Sequence, residues 1–210
     1  MALADYQIEQ LATEFAMITP FEPTQVSVGR ISHGLSSFGY DARVGRDFRI
    51  LSNKGPSILD PKRPNQSTFE PLPIERDGSD QYVIIPPHSF VLASTVEYFK
   101  IPRNVIVTCL GKSTYARIGI FVNVTPLEPE WEGEVTLEFY NAGAKPARIY
   151  VDEGAVQFIF SKGFSPRVSY ADRKGKYQGQ RGVTLAKVKD AFDSDPYMRA
   201  FGVSSTPEPK

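Results

Sequence analysis

The sequence predicts an all-β protein of sandwich or jelly-roll type, and three observations lead there. From about Ser27 to Val168, short runs rich in Val, Ile, Phe and Tyr recur at near-regular spacing. Gly, Pro, Asn and Asp separate them, with no helical pattern between. The 17 prolines fall mostly at the borders of these runs (Pro86-Pro87, Pro102, Pro126, Pro129, Pro146), where a fixed φ and a missing N–H cost least.

Taken in order, residues 4–17 space Ile8, Leu11, Ala12, Phe15 and Ala16 at helical intervals, with Asp5 near the start and Pro20 beyond the end. That predicts one short amphipathic helix. The expected strands then lie in 41–51, 81–87, 89–99, 104–110, 118–125, 134–141, 147–151 and 155–160. After Pro166 the chain turns to SYADRKGKYQGQRGVTL, rich in Gly, Lys, Arg, Gln and Tyr and too poor in aliphatics for a core of its own. A mobile segment is expected over 169–188, completing one domain of 1–188. Residues 189–210 read as an extension with one short helical turn and an exposed Pro-Ser-Thr end.

Composition excludes several function classes. A chain of 210 residues with 41% hydrophobic content supports a real core. Lys+Arg and Asp+Glu are equal at 24 each, so no overall basic field exists to hold nucleic acid or an anionic membrane, and any phosphate must be gripped locally. Cys109 is the only cysteine, and His33 and His88 are the only histidines. Disulfide frameworks and Cys/His zinc spacings are therefore ruled out. Within the apolar run IVTCLG, Cys109 reads as a small buried hydrophobe. The N-terminus carries acidic residues where a signal peptide needs a basic start, and no segment approaches ~18 uninterrupted apolar residues; a cytoplasmic protein is expected.

The stretch from Gly111 to Asn141 stands apart. GKSTYAR, the Pro-rich link PLEPEWEG and EVTLEFYN bring Lys112, Ser113, Thr114, Arg117 and Glu138 close together among strand-like residues. Lys112 and Arg117 offer charge-assisted donors, Ser113 and Thr114 hydroxyls, and Gly111 close backbone approach, a set that suits a polyphosphate. A solvated turn with a Ser/Thr cap reads equally well. In EVTLEFY, alternation puts Val135, Leu137 and Phe139 on one face and Thr136, Glu138 and Tyr140 on the other. On a solvated face Glu138 carries no message; facing a pocket or a subunit contact, it is a carboxylate able to shuttle protons. Trp131, the only tryptophan, reads as cover for a core edge. Tyr170, Lys176 and Gln180 are placed to close over a ligand, or to form a tail with no role.

Three motifs in order, SSFGYDARVG, GKSTYARIGIFVNVTPLEPEWEGEVTLEFYN and KGKYQGQRGVTL, resemble the metal-independent dCTP deaminases that act on the nucleotide triphosphate, over roughly Ile18 to Leu185. The resemblance implies a dUTPase-like distorted β-barrel or jelly roll, assembled as a homotrimer with active sites between subunits, that converts dCTP to dUTP and ammonia without zinc. It implies Glu138 as the proton-transferring group, Ser113 and the main chain near Pro126 as holders of the attacking water, and Arg117 as the group orienting Glu138. Lys112, Ser113 and Thr114 would meet the triphosphate, with Tyr115 and Ala116 in the same motif. The main chain of Thr136 and Leu137 would read the pyrimidine, and Gln157, Tyr170, Lys176 and Gln180 the sugar, the phosphates and the closing tail. Mg2+ would accompany the triphosphate, and dTTP is the candidate inhibitor. Two alternatives stay open. One is a bifunctional deaminase and diphosphatase giving dUMP, in which Glu128 and Trp131 occupy the diphosphatase's water-activating and aromatic positions. The other is a catalytically silent nucleotide-sensing β-trimer.

Overall fold

Helix α1 (Asp5–Phe15) opens the computed structural model, which describes residues 1–188; the extension 189–210 lies outside the described residues. Ala4 caps the helix in place of Asp5: its N–H donates to Gln7 Oε1 at 3.1 Å, while Asp5 Oδ1 accepts from Tyr6 N–H at 2.8 Å. At the other end Ala16 takes the left-handed conformation (φ 53°) and Met17 N–H reaches Leu11 C=O at 3.2 Å, which stops the helix before Pro20. Ile8 and Ala12 are buried, but the apolar stripe is narrower than the spacing predicts, because Phe15 in the last turn is 61% exposed.

Twelve strands follow: β1 (Ile18–Thr19), β2 (Gly34–Ser36), β3 (Gly39–Leu51), β4 (Phe69–Pro71), β5 (Glu75–Asp77), β6 (Asp80–Ile85), β7 (Phe90–Lys100), β8 (Val105–Gly111), β9 (Ile120–Asn123), β10 (Glu132–Asn141), β11 (Ala147–Tyr150) and β12 (Gly154–Lys162), with a one-turn helix α2 (Ser113–Ala116) between β8 and β9. All pairings between them are antiparallel. Nine strands form one sheet along the path β8-β12-β3-β7-β10-β9, with β1 on β7 and β2 and β4 on β3; β11-β6-β5 form a second, smaller sheet. The two end strands of the long path curl toward each other until Gly111 at the end of β8 faces Val122 of β9, where a Cβ would lie 3.5 Å from the Val122 nitrogen. The sheet is thus a nearly closed, distorted barrel.

Alternation decides what the barrel buries. On β10, Gly133, Val135, Leu137 and Phe139 point inward while Glu134, Thr136, Glu138 and Tyr140 point outward. Tyr40, Phe48, Phe99, Phe139, Phe158 and Phe160 fill the interior, with the rings of Phe99 and Phe158 at 4.7 Å between centroids. Each such ring contributes about 2–3 kcal/mol by burial.

One buried polar group was not legible in the sequence. Glu97, fully buried on β7, accepts Arg43 Nε at 2.7 Å and Arg43 N–H at 3.0 Å. Burial pushes its carboxyl up from the ordinary range, and the Arg43 guanidinium opposes that rise. Beside it the Thr95 hydroxyl donates to Glu97 C=O at 2.7 Å and accepts Val135 N–H at 2.9 Å. That stitch sits where the β7–β10 register breaks, between Glu134 and Thr136, so it fixes where the outward row of β10 begins. Among the described residues no helix is long and apolar enough to cross a membrane.

Candidate active site

Glu138 occupies the middle of β10's outward row, half-buried, opposite Leu92 of β7 on one side and Asn123 of β9 on the other. Its Oε2 accepts from Asn123 Nδ2 at 2.6 Å. Leu92, 7% exposed, supplies an apolar wall and no donor. The carboxylate is therefore held on one oxygen while the other stays open. Asn123 lay outside the residues that sequence reasoning singled out; only the β9–β10 register reveals it, since fifteen positions separate the pair in sequence.

The GKSTYAR motif leaves most of its side chains at the surface and engages two of them, Lys112 and Tyr115, elsewhere in the fold. β8 ends at Gly111 and the chain turns into α2, closed by Ala116 N–H to Lys112 C=O and Arg117 N–H to Ser113 C=O, both at 3.1 Å. Ser113, Thr114, Ala116 and Arg117 are exposed, and neither the two hydroxyls nor the guanidinium is engaged in a side-chain hydrogen bond or ion pair among the described residues. Three donors thus stand ready for an anion on the outer surface. Tyr115 turns the other way: its side chain is 2% exposed and its OH accepts Tyr150 N–H at 3.0 Å, so it anchors the turn in the core and its ring cannot touch a nucleotide outside. Lys112 is engaged as well, with Nζ 2.6 Å from Asp41 Oδ2 and the side chain 12% exposed. Gln157 lies on β12 between Asp41 of β3 and Leu110 of β8, on the same side of the barrel as this pair.

The segment after Pro166 is folded back on β10 and its preceding turn. Tyr170 N–H donates to Pro129 C=O at 3.0 Å, and Trp131 Nε1 to Tyr177 C=O at 3.2 Å, so the indole, 6% exposed, covers a core edge and holds the tail at once. Gly133 permits the closest approach, since a Cβ there would meet Gln180 and Trp131 at 3.0 Å. Gln180 Nε2 donates to Glu134 C=O at 2.7 Å and Thr136 Oγ1 at 3.4 Å; Thr184 N–H also donates to Thr136 Oγ1, at 3.3 Å. Gly182 N–H donates to Glu134 Oε2 at 2.6 Å, and Arg181 stacks over the Tyr98 ring at 3.9 Å. The Tyr170 OH accepts Tyr177 N–H at 3.0 Å, while burial raises its phenol above the usual value. Lys176 stays exposed and donates to Lys187 C=O at 2.7 Å.

By their place in the fold the expected residues fall in two groups: Lys112, Ser113, Thr114, Arg117 and Gln157 around the end of β8, and Thr136, Tyr170, Lys176 and Gln180 around β10 and the tail. Glu138 stands beside the second. No hydrogen bond or ion pair among the described residues links the groups within one chain. Nor is any group of three or more His, Cys, Asp and Glu side chains placed to hold a metal ion among them. Cys109 is half-buried, and burial pushes its thiol up to about 12, which fits a packing role.

The family model described as dCTP deaminase-like matches residues 2–163. A dCTP deaminase from Granulibacter bethesdensis is 56% identical over 187 residues, and one from Pelagibacter ubique 57% over 187, each spanning 89% of this chain and 98% of the relative. The chain belongs to the dCTP deaminase-like family. Identity above one half along nearly the whole of each relative makes it an enzyme of that family. A crystal structure of 2'-deoxycytidine 5'-triphosphate deaminase from Agrobacterium tumefaciens superposes with a TM-score of 0.54 at 18% identity over 77% of this chain, which speaks for the fold. This chain spans about half of that structure, 48%.

Proposed function

We propose that this chain is a cytoplasmic dCTP deaminase that converts dCTP and water to dUTP and ammonia. The observation that carries the reading is the identity of more than one half with proteins curated as dCTP deaminases, across 98% of their length. The site supports it chemically. Glu138 takes a proton from a water held by Ser113 and the main chain near Pro126, and the resulting hydroxide attacks C4 of cytosine. Glu138 passes that proton to N3 as the tetrahedral carbon forms, then takes the proton of the new C4 hydroxyl and delivers it to the 4-amino group, which leaves as ammonia as the C4–N bond breaks and C4=O forms. Arg117 steadies the charge at Glu138, and Ser113 and Thr114 bind the triphosphate, which Mg2+ accompanies as a charge-neutralising partner. The main chain of Thr136 and Leu137 reads the ring, while Gln157, Tyr170, Lys176 and Gln180 bind sugar and phosphates. dTTP, a pyrimidine triphosphate without the 4-amino group, is the natural candidate to occupy the same site as inhibitor.

Two features support a homotrimer with sites between subunits. The two groups of expected ligands stay apart within one chain, and large apolar side chains lie exposed around β8–β10: Leu110 (51%), Ile118 (55%), Phe121 (58%) and Tyr140 (40%). Against a diphosphatase stands Glu128, the alternative water-activating carboxylate, which forms an ion pair with Arg173 of the tail. Incubating the purified protein with dCTP and with dUTP in the presence of Mg2+, then separating products, tests the proposal. dUTP from dCTP, with dUTP itself unchanged, is expected. dUMP would indicate the bifunctional enzyme, and no product from either nucleotide would indicate the sensor.

A further inference from the structure

On the outward side of the barrel Glu138 is bracketed by known neighbours. Leu92 flanks it on β7, Asn123 on β9, and Thr136 and Tyr140 lie two residues away along β10, with Phe121 facing Tyr140. Tyr140 is the one titratable member of this set, and among the described residues no cation makes an ion pair with Glu138. The group that touches the carboxylate is the Asn123 amide, at 2.6 Å.

A carboxylate that relays protons must present one oxygen to the water and then, protonated, to the leaving amine. Left unheld, its terminal torsion is broad and its two oxygens exchange places. An amide N–H answers this requirement: it fixes Oε2 and carries no proton to lose, so the proton relay stays with the carboxylate. The same bond survives when Glu138 is protonated, because Oε2 then remains a carbonyl acceptor and the proton resides on Oε1.

We propose that Asn123 is a positioning residue for the deamination, holding Glu138 by Oε2 so that Oε1 alone faces water and the cytosine ring. The proposal rests on the reading of Glu138 as the proton relay. Its test is steady-state kinetics on dCTP for Asn123→Ala, Asn123→Asp and Asn123→Gln beside Glu138→Gln, with melting temperature and oligomeric state recorded for each. Asn123→Ala is expected to lower kcat about 10- to 100-fold, the worth of a hydrogen bond to a charged group, with KM for dCTP changed less than about threefold. Asn123→Asp removes the donor and sets a like charge opposite Glu138, so the acidic limb of the kcat profile should move to higher pH. Asn123→Gln, which keeps the amide on a longer arm, should recover part of the loss, and it serves as the decisive variant if Asn123→Ala melts early. Wild-type kcat and an unshifted profile in the Ala and Asp variants, with Glu138→Gln inactive, would overturn this role and leave the deaminase reading standing. Turnover by Glu138→Gln would overturn both.

Discussion

Lys112 Nζ lies 2.6 Å from Asp41 Oδ2, an ion pair between residues 71 positions apart that ties the end of β8 to the start of β3. Gln25 Nε2 donates to the same Asp41 oxygen at 3.0 Å, and Oδ1 is buried with no hydrogen-bond partner. A lysine expected from the motif to meet phosphate is thus also a fastener for the turn that presents Ser113, Thr114 and Arg117.

Removing one partner of a buried pair strands the other. Lys112→Met should therefore destabilise the nucleotide-free protein by about 3 kcal/mol, lowering the melting temperature by roughly 10 °C for a domain of this size. Thermal melting without nucleotide checks this. An unchanged melting temperature with weakened dCTP binding would make Lys112 a phosphate ligand only.

Cutting the chain after Pro166 removes the partners of Trp131, Glu134 and Thr136 but little apolar surface. The emission of Trp131, the only tryptophan, should shift to the red as its Nε1 loses the Tyr177 carbonyl. The β core should still melt cooperatively, and KM for dCTP should rise. Fluorescence, melting and kinetics on the truncated chain check the three points; an unfolded product would make the tail a structural element.

His33 is 5% exposed with Nδ1 buried and unpartnered. Burial, then Arg43 and Arg30, hold its imidazole below the usual value, with Glu22 opposing. Below pH of about 6.5 the unfolded chain takes up the proton more readily than the folded one, so stability is full above that pH and declines as pH falls through the lowered folded value. The melting temperature should drop between pH 7.5 and pH 5.5, and His33→Gln should flatten that slope. Identical slopes would contradict the assignment.

Protein stripped of transition metals and supplied with Mg2+ should keep full activity on dCTP, because water activation is assigned to Glu138. Activity restored by zinc alone would contradict that assignment.

How much of this could be read in the chain depends on range. Alternation in EVTLEFY correctly sent Val135, Leu137 and Phe139 inward and Glu138 outward, because a period of two is a local property. The expected strand over 118–125 is shorter than its pattern, β9 starting at Ile120, because Ile118 and Gly119 turn with α2. Tyr115 looked like part of a phosphate-binding surface; the one-turn helix rotates it into the core, and no local signal separates those outcomes. Partners across strands were not legible at all. Asn123 with Glu138, Asp41 with Lys112 and Arg43 with Glu97 depend on strand order and register, which composition and spacing leave open. The tail showed too few aliphatics for a core of its own, and that absence says nothing about the hydrogen bonds it makes to Glu134 and Thr136.

The most direct test of the central claim is turnover of dCTP by Glu138→Gln, measured with its affinity for dCTP. An amide of the same shape leaves the fold and the triphosphate contacts in place but cannot exchange protons, so binding within a few-fold of wild type and a loss of kcat of at least about a thousandfold are expected. A variant that binds dCTP and still turns it over at a near-normal rate would contradict the account.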